Sequence, residues 1–187
     1  MKKITFLVAL LLTFFNQANA QFNEGFEAGI PATWTVINGG DTNTWVQIVD
    51  PIFVISGTSS AAITYSAAAH DDYLITPAIT VVAGVNDRFR FKARSFDPLY
   101  PEQFVLKVSV TTPTAAAFTT TIATIAPNSS LTVPTDYSFD LSAYVGQTIY
   151  IGMHSTTTDM WRISVDDVVN DTPPACEAPT ALTSSAI

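Results

Sequence analysis

The sequence predicts an all-β fold, a sandwich or barrel. Three observations carry this. Stretches rich in β-branched and aromatic residues recur along the chain, separated by Gly, Pro, Asn, Asp and Thr. Several of them alternate apolar and polar residues with a period of two, as a strand with one buried face requires. After residue 20 there is no amphipathic helical period.

The elements follow in chain order. Residues 1–20 read as a signal peptide. Lys2 and Lys3 form a basic start, Ile4 to Phe15 an apolar run, and Ala18-Asn19-Ala20 an A-x-A cleavage site. The mature chain is expected to begin at Gln21, secreted or displayed at the cell surface. No second apolar segment of spanning length follows. Strands are predicted at Trp45–Val49, Ala61–Tyr65 and Tyr73–Thr76. The clearest is Arg88–Arg94, with Phe89, Phe91 and Ala93 facing in and Arg88, Arg90, Lys92 and Arg94 facing out as a solvated row. Phe104, Leu106, Val108 and Val110 alternate in the same way. Residues 111–135 are rich in Thr, Ala and Pro and read as a long connection with one weak strand around Phe118–Ile125. Tyr137–Leu141 and the Ile149, Ile151, Met153 series complete the set. Pro173-Pro174 ends the domain, which is expected to span 21–172, with 173–187 as linker and tail.

Charge narrows the partners. Removing Lys2 and Lys3 leaves six basic residues against sixteen acidic ones. Nucleic acid, which needs a basic footprint, is excluded as a partner. Excess carboxylate suits hard cations such as calcium, and equally suits solubility outside the cell. The single cysteine, Cys176, has no partner within the chain, so the core must stand on packing.

The last strand poses a question. In Ile163-Ser164-Val165-Asp166-Asp167-Val168-Val169, alternation puts Trp161, Ile163, Val165 and Asp167 on one face. That face is apolar, so Asp167 is expected to follow it inward. A buried carboxylate needs a backbone N–H, an arginine or a metal ion.

Several motifs together resemble a known family. Phe26-Glu27-Ala28-Gly29-Ile30-Pro31-Ala32-Thr33-Trp34 resembles the FE-x-G-x-P-x-x-W opening of the cleaved-adhesin, or choice-of-anchor J, domains of exported Bacteroidota proteins. These are similar to the eukaryotic MAM domain. A Gly/Asp-rich turn follows, Gly39-Gly40-Asp41-Thr42-Asn43-Thr44, before Trp45; it is poorer in Asp than the family's D-G-D-G form. Asp71-Asp72-Tyr73-Leu74-Ile75-Thr76-Pro77 stands for D-N-W-L-I-T-P, with Asp for Asn and Tyr for Trp. Tyr100-Pro101-Glu102, Asp140-Leu141-Ser142-Ala143-Tyr144-Val145-Gly146-Gln147 and Asp166-Asp167-Val168 match later motifs. The resemblance covers about residues 22–170. It implies an antiparallel jelly-roll β-sandwich of the MAM or galactose-binding-like kind, non-catalytic, serving adhesion or accompanying secreted enzymes. It also implies structural calcium near the sheet edges. On this basis the expected ligands are Glu27, Asp41 and Asp167, with Asp166 replacing Asp167 if a bulge shifts the register. The alternative is an Asp167 held by turn N–H groups with no metal. The tail from Cys176 resembles the first strand of a fibronectin type III module, so further domains of a longer parent chain are expected.

Other candidate residues also have ordinary structural roles. Asp97, Tyr100 and Glu102, around Pro98 and Pro101, form the expected ligand-facing loop. Tyr100 is the best exposed candidate for stacking on a sugar; core packing accounts for most other aromatics. His70 with Asp71-Asp72 reads as a strand-capping loop, because neighbours in an extended chain point apart. His70 and His154 are the only histidines, and neither a G-x-S-x-G elbow nor an H-E-x-x-H motif is present. No catalytic residue is therefore assigned. The expected role is an extracellular binding module for a host or matrix protein or a glycan. The alternative is an accessory or spacer domain, including a carbohydrate-binding one, of a secreted protease or polysaccharide-degrading enzyme.

Overall fold

A computed structural model describes residues 22–173. The expected signal peptide, Cys176 and the fibronectin-like tail lie outside the described residues. Twelve strands follow in order: β1 Asn23–Glu24, β2 Thr35–Ile37, β3 Val46–Ile48, β4 Ser60–Thr64, β5 Asp72–Ile75, β6 Ile79–Thr80, β7 Arg88–Ser95, β8 Phe104–Ser109, β9 Thr120–Ile125, β10 Thr135–Asp140, β11 Thr148–Ser155 and β12 Arg162–Asp171. They form two antiparallel sheets. One runs β10-β7-β12-β4-β3, with β1 also on β12; the other runs β2-β5-β11-β8-β9, with β6 also on β11. The first and last strands thus lie side by side, Asn23 opposite Val169 and Glu24 opposite Val168.

The alternating positions fill the space between the sheets. Phe89, Phe91 and Ala93 from β7, Phe104, Leu106 and Val108 from β8, and Ile149, Ile151 and Met153 from β11 are all buried in one cluster with Trp34 and Trp45. Tyr137 and Phe139 of β10 lie beside Phe91, at ring-centroid distances of 5.2 and 6.1 Å. Val110 departs from expectation: β8 ends at Ser109, and Val110 is exposed. The weak strand in 111–135 is real. It is β9, an edge strand paired with β8.

Two outward positions are not solvated. Residues 50–58 cross the outer face of the first sheet and cover it. Arg94, expected in the exposed row, is buried there and donates to the carbonyls of Ile52, Val54 and Leu131 at 2.7–3.0 Å. The rest of the row is paired. Arg88 grips Asp171 with two hydrogen bonds, and Lys92 Nζ lies 2.8 Å from Asp167.

The expected inward Asp167 is corrected by a bulge. Between the pairs Asp166–Lys92 and Val169–Arg90, β12 advances three residues while β7 advances two. Asp167 takes the extra place with φ 48°, a left-handed conformation that Asp tolerates better than most residues. Val168, not Asp167, then rejoins Ile163 and Val165 in the core. Asp167 turns outward to Lys92, with its side chain 32% exposed. Asp166 is the buried carboxylate. It faces away from the core, beneath residues 50–58, where it accepts from Ser56 N–H at 3.0 Å, Ser60 Oγ–H at 2.7 Å and Asp167 N–H at 2.7 Å.

The two neighbours should therefore behave differently. Asp166→Ala strands buried donors of Ser56 and Ser60 and is expected to cost about 3 kcal/mol. Asp167→Asn keeps a side chain suited to positive φ and loses only a half-exposed ion pair, so it should cost less than about 1 kcal/mol. Urea unfolding of both variants checks the order.

Candidate functional site

Three segments meet at one end of the first sheet. Tyr65 follows β4, Tyr100 sits in the loop between β7 and β8, and Trp161 precedes β12. Their backbones are bonded together: Trp161 N–H donates to the Tyr100 carbonyl at 3.1 Å, and Tyr65 N–H donates to the Trp161 carbonyl. With Asp97 and Asp159 they line an open pocket of about 330 Å³. Trp161 was expected inside the core. Instead it is half-buried outside the main apolar cluster, edge-on to Phe53 at 5.5 Å and Phe96 at 6.4 Å. Arg162 covers the Phe53 ring at 4.0 Å. The pocket's aromatic wall is thus backed by other rings.

The polar members are also fixed. Asp97 Oδ1 accepts from Leu99 N–H at 2.8 Å, and its carbonyl accepts from Ser129 Oγ–H at 3.0 Å. Asp159 has φ 59°, and its N–H donates to Ser66 O. Tyr65 and Tyr100 remain 46% and 48% exposed. Exposed aromatic faces beside two carboxylates can stack on a sugar ring and accept hydrogen bonds from its hydroxyls.

Of the expected ligand loop, the structure brings Asp97 and Tyr100 together but not Glu102. Glu102 is 1% exposed, accepts from the Thr157 hydroxyl and Gln103 N–H, and has its pKa raised by burial. Tyr65 escaped sequence reasoning because it is remote in the chain, and only the pairing of β4 with β12 makes it a neighbour of Trp161. Asp159 is close to Trp161 in sequence, but its place at the pocket depends on the turn bonded to Ser66.

The expected calcium ligands divide into two places. Glu27 and Asp166 lie together: a Cβ at Gly25 would stand 3.6 Å from Asp166 Oδ1 and 4.0 Å from Glu27 Oε1. Glu27 accepts from Thr58 N–H and hydroxyl, which lower its pKa. Asp167 is near enough to repel both carboxylates. Burial pushes Asp166 up to about 6, despite its three donors. The donor set fits a hard cation, because two carboxylates around a side-chain-free residue form a negative, oxygen-only recess. Asp41 stands elsewhere, beside His70 and Asp72.

His154 Nε2 lies 2.7 Å from Asp71 Oδ1, and its ring stacks on Tyr73 at 3.9 Å. Its other nitrogen is buried with no hydrogen-bond partner. Among the described residues this pair is joined by no serine nucleophile.

The family model described as the Cleaved Adhesin Domain matches residues 19–169. The chain belongs to the cleaved adhesin family. Hemagglutinin A of Porphyromonas gingivalis is 28% identical over 174 residues, covering 78% of this chain and 6% of the relative. The chain therefore spans a small part of that curated relative. The K1 cleaved adhesin domain of Lys-gingipain from P. gingivalis W83 is similar with TM-score 0.69 and 23% identity, covering 83% of this chain and 99% of that one. TmCBM61, solved with β-1,4-galactotriose, follows with TM-score 0.58 and 16% identity over 78% of this chain and 92% of that one. These likenesses establish the β-sandwich of a cleaved adhesin domain.

The raised pKa of Asp166 gives this cleaved adhesin a pH signature. Its folded value, about 6, exceeds the ordinary 3.8, so folding favours the protonated form. That contribution is fully present below about pH 4 and is lost as pH rises through about 6. In chelator, the stability of the wild type relative to Asp166→Asn should fall across this window. Unfolding free energies measured at several pH values check it.

Proposed function

We propose that this chain is an exported, non-catalytic module that binds a glycan in the Tyr65–Tyr100–Trp161 pocket. The carrying observation is the pocket itself: exposed aromatic faces fixed by backbone hydrogen bonds, with Asp97 and Asp159 at their side. TmCBM61, which binds a galactotriose, supports a sugar as the ligand class on this fold. The name of the relative Hemagglutinin A supports an adhesive setting, and its far greater length supports a place within a larger chain. Calcium, held by Glu27 and Asp166, is the structural ion of this reading. It would compensate the buried charge of Asp166 and tie the segment after β1 to β12.

Titration of the mature chain against a panel of galactans, xylans and host glycans, followed by calorimetry, tests the proposal. Tyr100→Ala and Trp161→Ala should each weaken binding about tenfold or more, roughly 1.4 kcal/mol. Tyr100→Ala should leave the melting temperature unchanged, because that ring is largely exposed. Binding indifferent to both substitutions would contradict the pocket. Silence across the panel would favour the spacer role. In the same preparation calcium at a hundredfold excess over its Kd should add about 2.7 kcal/mol of stability.

A further inference from the structure

The glycan pocket and the Glu27–Asp166 recess leave one chemical cluster unused. His70, Asp41 and Asp72 each offer a ligand atom, and these atoms lie within 4.8 Å of one another. His70 Nδ1 is 2.8 Å from Asp41 Oδ2 and 3.2 Å from Asp72 Oδ2. The three side chains are 1%, 4% and 0% exposed.

The fold builds this cluster deliberately. Gly39 and Gly40 lie against the backbone of 69–71: a Cβ on Gly40 would stand 2.4 Å from the Ala69 carbonyl oxygen, and one on Gly39 would stand 2.6 Å from that of Asp71. Only side-chain-free residues allow this approach, and it delivers Asp41 onto His70. Asp72, on β5, points inward while its neighbour Asp71 points out to His154. His70 is itself held by its N–H to the Thr157 carbonyl, 2.9 Å.

As a set of protein groups alone the cluster is unbalanced. Two carboxylates surround one imidazole, and a single Nδ1–H cannot point at both. Buried Asp41 Oδ2 and Asp72 Oδ1 have no well-formed hydrogen bond, although the Thr44 hydroxyl is close enough to Asp72 to lower its pKa against the raising effect of burial. Unpaired buried polar atoms in this number are costly. Another carboxylate, Glu102, is buried near enough to feel His70, and it too has an unpartnered oxygen.

We propose that Asp41, His70 and Asp72 bind a divalent transition cation of the zinc type. A dipositive ion neutralises the two carboxylates, and neutral His70 supplies a nitrogen lone pair from Nδ1. Donors about 2.0 Å from a tetrahedral ion stand about 3.3 Å apart, so the 3.2 Å pair fits as it is and the 2.8 Å pair must open by about half an ångström on binding. Calcium is disfavoured, since it takes six or more oxygen ligands and this cluster presents an imidazole and few oxygens. Where the family motif has Asn, this chain has Asp72, which supplies the second charge. The ion would pin the 39–44 loop to the start of β5. That loop also supports the glycan pocket, through Asn43 Nδ2–H to the Tyr65 carbonyl at 2.6 Å.

The test uses the full mature chain freed of metal, titrated with Co²⁺ and then Zn²⁺. One equivalent of Co²⁺ should give visible ligand-field absorption, which Zn²⁺ displaces, and Zn²⁺ should raise the melting temperature. Both signals should persist in Asp166→Asn and vanish in His70→Gln and Asp72→Asn. Asp72→Asn is nearly isosteric and keeps the test valid if His70→Gln fails to fold. A wild type that takes up no Co²⁺ or Zn²⁺, or a signal that survives Asp72→Asn, overturns the proposal. A stabilisation by calcium instead, lost in Asp72→Asn, overturns its metal class.

Discussion

A carboxylate buried on the outer face of a sheet organises this molecule. Asp166 cannot remain there without donors, and the donors come from three places: the 50–58 crossing, β4 and the bulge itself. Because β12 lies between β4 and β7, fixing this strand fixes the first sheet around it. The same crossing brings carbonyls to Arg94, so both buried charges of that face are served by one loop. Their opposite fates follow from chemistry. A guanidinium can be satisfied by carbonyls, whereas a carboxylate requires N–H and O–H groups or a cation.

The two sites of the proposed function lie at the two ends of β12. Its entry carries Trp161, and its neighbours carry Tyr65 and Tyr100, so ordinary sheet pairing assembles the aromatic wall. Its bulged end carries Asp166 and meets β1, where Glu27 follows closely in the chain. A module built this way can hold a ligand on one end while the ordering of the other end sets its stability.

Much of this was legible in the residues. Phe89-Arg90-Phe91-Lys92-Ala93 shows its buried face directly, since a period of two is local information. No single motif decided the family, but six in the right order did, from the FE-x-G-x-P opening to the Asp166-Asp167-Val168 close. The bulge was not legible. Whether Asp166 or Asp167 is buried depends on one extra residue in the register with β7, and a strand's own sequence does not encode its partner's register. Arg94 misled for a related reason: alternation gives the face, but not whether a distant loop covers it. Asp41 resembled a calcium ligand by motif, yet the tight contact of Gly39 and Gly40 with residues 69–71 sends it to His70. Trp161 looked like core because it keeps phase with Ile163, but it lies before the strand begins, where the pleat no longer dictates direction.

The measurement that goes most directly to the central claim is amide hydrogen exchange at Ser56 and Asp167 in the mature chain. Both N–H groups are bonded to Asp166 alone, outside any regular strand pairing. The account predicts strong protection at both, lost together in Asp166→Ala while the β11 amides stay protected. Exchange of Ser56 at the rate of a free loop in the wild type would contradict it.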